Sequence, residues 1–387
     1  MACLVGAWGL AFRLTPPWNG RAARVPARIL VIRLGLIGDG VLLTPALRLL
    51  RDNFPDARID VLVTPPQREL LSGLRTVDRL LVWDAGDLGE PRLALQPRRW
   101  RRALETARAI RAERYDAALS CYGALASAIA LASGAPRRIG YAGEALPFTL
   151  TRALPGARWD RPWHDAEYNV EVVRALDATG VTPPTELTLP DGAPPAALEG
   201  LEPRDGPLVV LHTGAVNGRA KRWPFVHWEE LVSRLRADGC RLLFVGADNE
   251  DRRFALDVAR AGENLVGQTS LAELARVLAR ADVLVTADSG PMHVANALGT
   301  PVVALFGPTD PVIYAPFQPQ RAVVLRHPVP CQPCYRLDRV ADCPLGHTLC
   351  QWGLLPEQVH TAVRDLLGDA ADAADAPDAP GAAGAHR

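Results

Sequence analysis

Reactive side chains stand at a few places in this 387-residue chain where glycine leaves the backbone open. Asp39 lies between Gly38 and Gly40. A carboxylate flanked by glycines is accessible, and its backbone can take unusual dihedrals. It could accept a proton from a hydroxyl nucleophile. An acid at a helix N-terminus, favoured by the dipole, is the plainer alternative, and for Asp39 alone it is the stronger one. Lys221 closes a loop, Thr213 to Arg222, that also holds Gly214, Asn217 and Gly218. Such donors, glycines and cations suit a diphosphate, although a solvated surface loop reads the same way. Asp248-Asn249-Glu250-Asp251 follows Gly246. An acid after a strand can hold ribose hydroxyls or simply cap a helix. In Asp288-Ser289-Gly290-Pro291-Met292-His293, Ser289 suits a helix N-cap and Pro291 the first turn. The free N–H groups of that helix start suit a phosphate, and Gly290 would let it approach closely. An ordinary βαβ crossover that binds nothing is the alternative. Cys331, Cys334, Cys343, His347 and Cys350 form a further group. Their spacing could supply a structural zinc or iron site, with reduced thiols or a local disulfide as alternatives.

Elements of matching period must position these groups. Short apolar runs of strand length cover Arg28 to Arg33, Arg58 to Val63, Leu80 to Trp83, Ala117 to Cys121 and Arg138 to Tyr141. A second series covers Leu208 to His212, Arg241 to Val245, Val283 to Thr286 and Pro301 to Phe306. Between them, helical spacing is predicted over Val41 to Asn53, Trp100 to Arg114, Ala124 to Leu131, Phe225 to Ala237, Asp251 to Ala261 and Met292 to Leu298. Ser270 and Glu273 form a capping-box signature for a helix ending at Arg280, and Leu355 to Leu367 reads as a last helix stopped by Gly368. The alternation predicts an α/β chain of two doubly wound, Rossmann-like domains facing across a cleft, with a C-terminal helix after the second. Residues 28–180 and 208–368 are the expected domains, joined by a proline-rich linker over 181–207. Residues 1–27 are expected to be a disordered extension and 369–387 a disordered tail. The turn before Asp39 lacks the full G-x-G-x-x-G pattern, so a dinucleotide site is not expected.

Composition narrows the function classes. Lys plus Arg and Asp plus Glu each number 43, which predicts no nucleic-acid partner. Seven cysteines in this length do not make a disulfide scaffold and fit a reduced compartment. The apolar patch from Ala2 to Phe12 has no basic residue before it and no clean cleavage site after it, which argues against a secretory signal. The uncharged run Ala117 to Ala135 is rich in Ala, Ser and Gly, and a buried strand and helix explain it better than a membrane span. Arg98, Arg99, Arg101, Arg102, Arg108, Arg111 and Arg114 gather around one helix. They make either a solvated face or a surface for an anionic acceptor or anionic lipid headgroups.

Three passages carry a family resemblance: RILVIRLGLIGDGVLLTPALRLLRDNFPDARIDVLV, HTGAVNGRAKRWPFVHWEEL and ADSGPMHVANALGTPVVALFGPTDP. The chain resembles, over roughly Arg28 to Leu367, the ADP-heptose:lipopolysaccharide heptosyltransferases, glycosyltransferase family nine, of GT-B architecture. The resemblance implies an inverting transfer without a catalytic metal or other cofactor. Asp39 is then the general base, with Gly38 and Gly40 in the acceptor-side turn. Lys221 holds the donor diphosphate within the loop of Thr213 and Gly214, Glu250 falls near a ribose-binding carboxylate, and Asp288, Ser289, Gly290 and His293 form the phosphate turn. The first domain would take the acceptor and the second the nucleotide sugar. Where the family turn often has two serines this chain has Gly35-Leu36, which removes any hydroxyl contact there. The implied partners are a nucleotide-diphosphate sugar, an anionic lipid-linked saccharide and the membrane surface. The implied location is cytoplasmic, peripheral at the inner face of the cytoplasmic membrane. Other readings are a GT-B transfer from another nucleotide sugar or to a protein or cell-wall acceptor, or a non-catalytic nucleotide-sugar binding protein.

Overall fold

The computed structural model describes residues 25–84, 96–157, 160–189, 192, 206–215, 218–247, 249–260, 262–335 and 342–374. Two parallel sheets organise them. The first contains β1 (Arg28–Ile32), β2 (Arg58–Val63), β3 (Arg79–Val82), β4 (Ala117–Ser120), β5 (Arg137–Tyr141) and β6 (Arg152–Leu154), in the order β3-β2-β1-β4-β5-β6. The second contains β7 (Leu208–His212), β8 (Arg241–Val245), β9 (Val283–Ala287), β10 (Val302–Phe306) and β11 (Ala322–Arg326), in the order β11-β10-β9-β7-β8. Central strands such as β7, β9 and β10 are buried along their whole length, which is why they read as unbroken apolar runs rather than alternating ones.

Helices cover both faces of each sheet. In the first half these are α1 (Ile37–Val41), α2 (Thr44–Asn53), α3 (Pro65–Leu71), α4 (Pro97–Ala112), α5 (Gly123–Ala132) and α6 (Asp165–Arg174). Leu43, Leu47 and Leu50 with Tyr168 and Val172 fill one face, and Ala103, Ile110, Ala126 and Ile129 the other. The second half has α7 (Phe225–Ala237), α8 (Asn249–Val258), α9 (Leu271–Arg280), α10 (Gly290–Ala297) and the short α11 (Pro311–Tyr314) and α12 (Leu349–Trp352). A last helix, α13 (Pro356–Ala374), lays Val359, Val363 and Leu366 against the Trp228 and Leu231 side of α7.

In each sheet the strand order reverses once. The reversal lies between β1 and β4 in the first and between β7 and β9 in the second. At such a switch point neighbouring connections leave in opposite directions and open a crevice at the carboxyl ends of the strands. The expected α/β architecture of two doubly wound halves is therefore present, and the uncharged run is β4 followed by α5. No described helix is long and apolar enough to cross a membrane.

Several expectations need correcting. The helix expected from Val41 begins earlier and is broken: α1 starts at Ile37, so Asp39 lies inside a helical turn rather than a glycine loop, and a break at Leu42–Leu43 precedes α2. Gly368 does not stop the last helix, which runs on to Ala374; it lies in a helical conformation open to any residue. The expected disordered tail thus begins helically, and residues 375–387, like residues 1–24, lie outside the described ones. β6, α6 and β11 were not anticipated, because each is short or only half apolar. Of the proline-rich stretch, residues 181–189 touch both halves: the Glu186 N–H donates to Thr44 Oγ1 at 3.0 Å and Thr185 Oγ1 to Gln318 Oε1 at 2.7 Å.

Candidate active site

Asp39 is the third residue of α1, at the first switch point. Its Oδ2 accepts the Leu36 N–H at 2.7 Å, and its Oδ1 accepts from Arg33 Nη2 at 2.8 Å. A side chain at position 35 would run into this carboxylate, so Gly35 leaves the room that Asp39 needs. Arg33 follows β1 and is wholly buried; the same Nη2 reaches Asp165 Oδ2 at 2.9 Å, at the start of α6. Its guanidinium also lies 5.0 Å from the ring of Tyr122, just beyond β4. A buried arginine is tolerated when carboxylates compensate it, and removing one partner of such a set leaves uncompensated charge. Asp39 is thus oriented from two sides while a quarter of its side chain stays exposed.

The second switch point is built the same way. Parallel register sets His212, the last residue of β7, beside Thr286 of β9. His212 Nδ1 and Thr286 Oγ1 are 2.9 Å apart, and Thr286 Oγ1 lies 2.9 Å from Ser289 Oγ. Ser289 is the N-cap residue of α10 as expected, but its hydroxyl turns back to this pair instead of capping the helix. Lys221 Nζ donates to Asp288 Oδ2 at 2.9 Å, nearly buried, with the Tyr335 ring 4.4 Å away. Beside it opens a pocket of about 270 Å³ lined by Ala215, Gly218, Arg219, Arg222, Asn249 and Glu250. Glu250 faces Arg222 at 3.1 Å and Arg219 at 3.6 Å. Thr213 Oγ1 donates to Asp251 Oδ1 at 3.0 Å, and any side chain at Gly214 would meet that carboxylate. Asn217 and Asp248 lie outside the described residues.

The two switch points face each other through α1 and α10. A Cβ on Gly38 would come within 2.9 Å of the His293 ring, and one on Gly290 would collide with Ile37. Gly290 thus makes room for the opposite half rather than for a bare ligand approach. Gly40 packs similarly on Gln67 and Leu71. His293 is buried, its Nδ1 has no hydrogen-bond partner among the described residues, and burial holds its pKa down at about 4. It is therefore a neutral imidazole at neutral pH. His164 joins the halves a second time. Its Nδ1 accepts the Ala166 N–H at 3.2 Å, which fixes Nε2 as the donor to Ala315 O at 2.8 Å.

Cys331, Cys334, Cys343 and Cys350 are free thiols. Burial raises Cys334 and pushes Cys350 up to about 11, whereas the Thr348 N–H and its neighbours hold Cys343 below the usual range. His347 Nδ1 accepts the Leu349 N–H at 3.1 Å. Among the described residues no three His, Cys, Asp or Glu side chains are arranged to take a metal ion.

Of the residues singled out from sequence, Gly38, next to Asp39, meets Gly290 and His293, Lys221 meets Asp288, Thr213 and Gly214 meet Asp251, and Glu250 lines the pocket. Arg33, Asp165, His164 and Tyr335 were missed. Arg33 carried one signal, a charge directly after an apolar strand and before a glycine turn. Asp165 and Tyr335 carried none, being brought in from far along the chain.

Comparison with known proteins gives a concordant picture. The family model for glycosyltransferase family 9 (heptosyltransferase) matches residues 103–343. Lipopolysaccharide heptosyltransferase 2 of Salmonella typhimurium is 30% identical over 359 residues, covering 88% of this chain and 99% of that protein. A solved glycosyl transferase family 9 structure from Veillonella parvula superposes with a TM-score of 0.73 at 22% identity, over 89% of this chain and 97% of that one. The structure of E. coli ADP-heptose lps heptosyltransferase II gives 0.68 at 24% identity, over 89% and 99%. These two likenesses establish the shared fold.

Proposed function

The chain belongs to glycosyltransferase family 9, the heptosyltransferase family, and on that premise we propose that it transfers heptose from ADP-heptose to a lipid-linked saccharide of the lipopolysaccharide core, with Asp39 as general base. The donor nucleotide lies in the pocket beside Glu250 and Arg222, with its diphosphate toward Lys221 and the start of α10. The acceptor enters over the first sheet. Its hydroxyl oxygen attacks the anomeric carbon on the face opposite the diphosphate and passes its proton to Asp39. The bond from the anomeric carbon to the diphosphate oxygen breaks with inversion, and ADP departs with the electron pair. Lys221 and the oriented N–H groups of α10 compensate the charge that develops on the leaving oxygen.

The observation that supports this reading most is the pairing of switch points. An oriented, partly exposed carboxylate stands on one sheet, a buried lysine beside a helix start stands on the other, and α1 packs on α10 between them. A protein that only bound nucleotide sugar would need no carboxylate so placed. The anionic acceptor also gives the arginines of α4 a partner, and we propose that this helix rests on the anionic membrane surface that presents the acceptor.

Asp39→Ala and Lys221→Ala test the assignment. With purified acceptor saccharide and ADP-heptose, Asp39→Ala is expected to lower turnover by about 10²–10⁴-fold, the usual contribution of a general base, while nucleotide affinity holds. Lys221→Ala should weaken nucleotide binding as well. Wild-type turnover in Asp39→Ala removes the base assignment, and activity only with another nucleotide sugar shifts the reading to a different GT-B transfer.

A further inference from the structure

The segment that delivers Tyr335 belongs to neither sheet, yet it is pinned to the rim of the second. The N–H groups of Cys334 and Tyr335 both donate to Pro308 O at 3.0 Å, and Gln332 Nε2 donates to Gly307 O at 2.6 Å. Gly307 and Pro308 are the first residues beyond β10, at the edge where the site lies. From the other side the buried Gln351 donates its Nε2 to Lys221 O at 2.8 Å. The bonds to Gly307 and Pro308 hold the irregular stretch in one place, the bond from Gln351 holds the backbone of Lys221, and Tyr335 is the side chain that meets Lys221 there.

Its ring lies 4.4 Å from the Lys221 ammonium, on a lysine already paired with Asp288. A nearly buried ammonium attracts an aromatic face more strongly than an exposed one does, so the contact fixes the ring. Tyr335 is only half-buried. Burial is the main influence raising its phenol, Lys221 acts against it, and the Asp288 and Asp39 carboxylates add to it. Asp288 stands just before α10, which packs against α1, the helix that carries Asp39, so the ring at the Lys221–Asp288 pair lies on the side of the second half that meets the first. In an inverting displacement the transferred sugar occupies that interval, between the base and the departing diphosphate.

We infer that Tyr335 contacts the transferred sugar, its ring forming the wall on which the sugar rests between Asp39 and the Lys221–Asp288 pair. The inference rests on the donor placement proposed above. The apolar C–H face of a pyranose suits an aromatic surface, and a ring already held by Lys221 adds little ordering cost on binding.

Calorimetry on the full chain with ADP and with ADP-heptose separates this role from a mere cover over Lys221. The quantity to read is the ratio of the two dissociation constants, which isolates the sugar. In the wild type ADP-heptose should bind more tightly than ADP. Tyr335→Ala and Tyr335→Leu should shrink that ratio by about tenfold while ADP affinity changes by less than about threefold, and Tyr335→Phe should preserve both. Two substitutions of different size guard against a folding defect in one of them. The inference is overturned if the wild type shows no sugar preference, if the ratio survives in Tyr335→Leu, or if ADP and ADP-heptose weaken together. Asp39→Ala should leave the ratio intact. Failure of the base assignment would appear in turnover, not here.

Discussion

At the scale of single residues, Asp39 owes its orientation to Arg33, the Leu36 N–H and the empty space at Gly35. His293 illustrates how burial sets a charge state across the contact between halves. Its ordinary pKa near 6.5 falls to about 4 because desolvation outweighs the attraction of Asp288, Asp165 and Asp39; the His164 charge acts in the same direction as burial. The unfolded chain thus binds a proton at His293 at a higher pH than the folded one does. Stability is flat above the unfolded value, declines as pH falls from about 6.5 to about 4, and levels off below, at a total cost on the order of 3 kcal/mol. His164 is also lowered by burial and contributes with the same sign. Urea titrations at pH 7.0, 5.5 and 4.5 should show that decline in the wild type and a shallower one in His293→Gln. Equal slopes in the two proteins would contradict the neutral buried imidazole. From sequence, Asp39 and Lys221 were legible as candidates because glycines and loop composition surround them. Arg33 with Asp165 was not, since the pair is 132 positions apart and only the sheet brings it together.

Among the elements, α4 departs from what helix stability alone would select. It has six arginines and one glutamate, with four of the arginines in its first two turns and no acid in the first. Cations at a helix N-terminus oppose the macrodipole. Arg102 pairs with Asp84, just beyond the carboxyl end of β3, so that basic end stands at the sheet edge that carries Asp39. Local rules broken in this way often mark function. Replacing Arg98, Arg101, Arg102 and Arg108 by Gln leaves the buried Ala103, Ala107 and Ile110 untouched. Binding to vesicles of phosphatidylglycerol and phosphatidylcholine should fall at least about tenfold, since each surface cation contributes up to about 1 kcal/mol. The melting temperature should hold or rise as the dipole conflict is relieved. Vesicle binding unchanged in that variant, or unaffected by salt, would sink the membrane role of α4. The element boundaries themselves were well predicted where period and caps agreed: β7, α7 and β8 match from end to end, and Ser270 caps α9 with the foreseen Glu273. The cysteine-rich stretch was read for its thiols, whereas the structure puts its Tyr335 at the site.

For the whole molecule, the contact between halves is apolar as well as polar. Val41 and Leu70 of the first half are buried in one cluster with Leu274, Met292 and Val294 of the second. Leu187, in the proline-rich stretch, packs on the clusters of both. Burial shared in this way couples the stabilities of the halves. Leu70→Ala should cost about 2–5 kcal/mol, as truncation of a buried leucine does, and should lower the melting of both halves together. A scanning calorimetry trace in which only the first half shifts would show that the cluster does not couple them.

The sequence by itself determined most of the strands and helices, the α/β class and the two glycine-containing segments with their carboxylate and lysine. These depend on periods of 2 and 3.6 residues and on local turn chemistry, which a short window contains. Tertiary structure alone decided that the turns lie at switch points and that Gly38 and Gly290 serve packing between halves. It also decided that Arg33 joins Asp39 to Asp165 and that Tyr335 reaches Lys221. Those facts follow from strand order and from contacts between distant segments, and no local window of sequence encodes which parallel strands become neighbours.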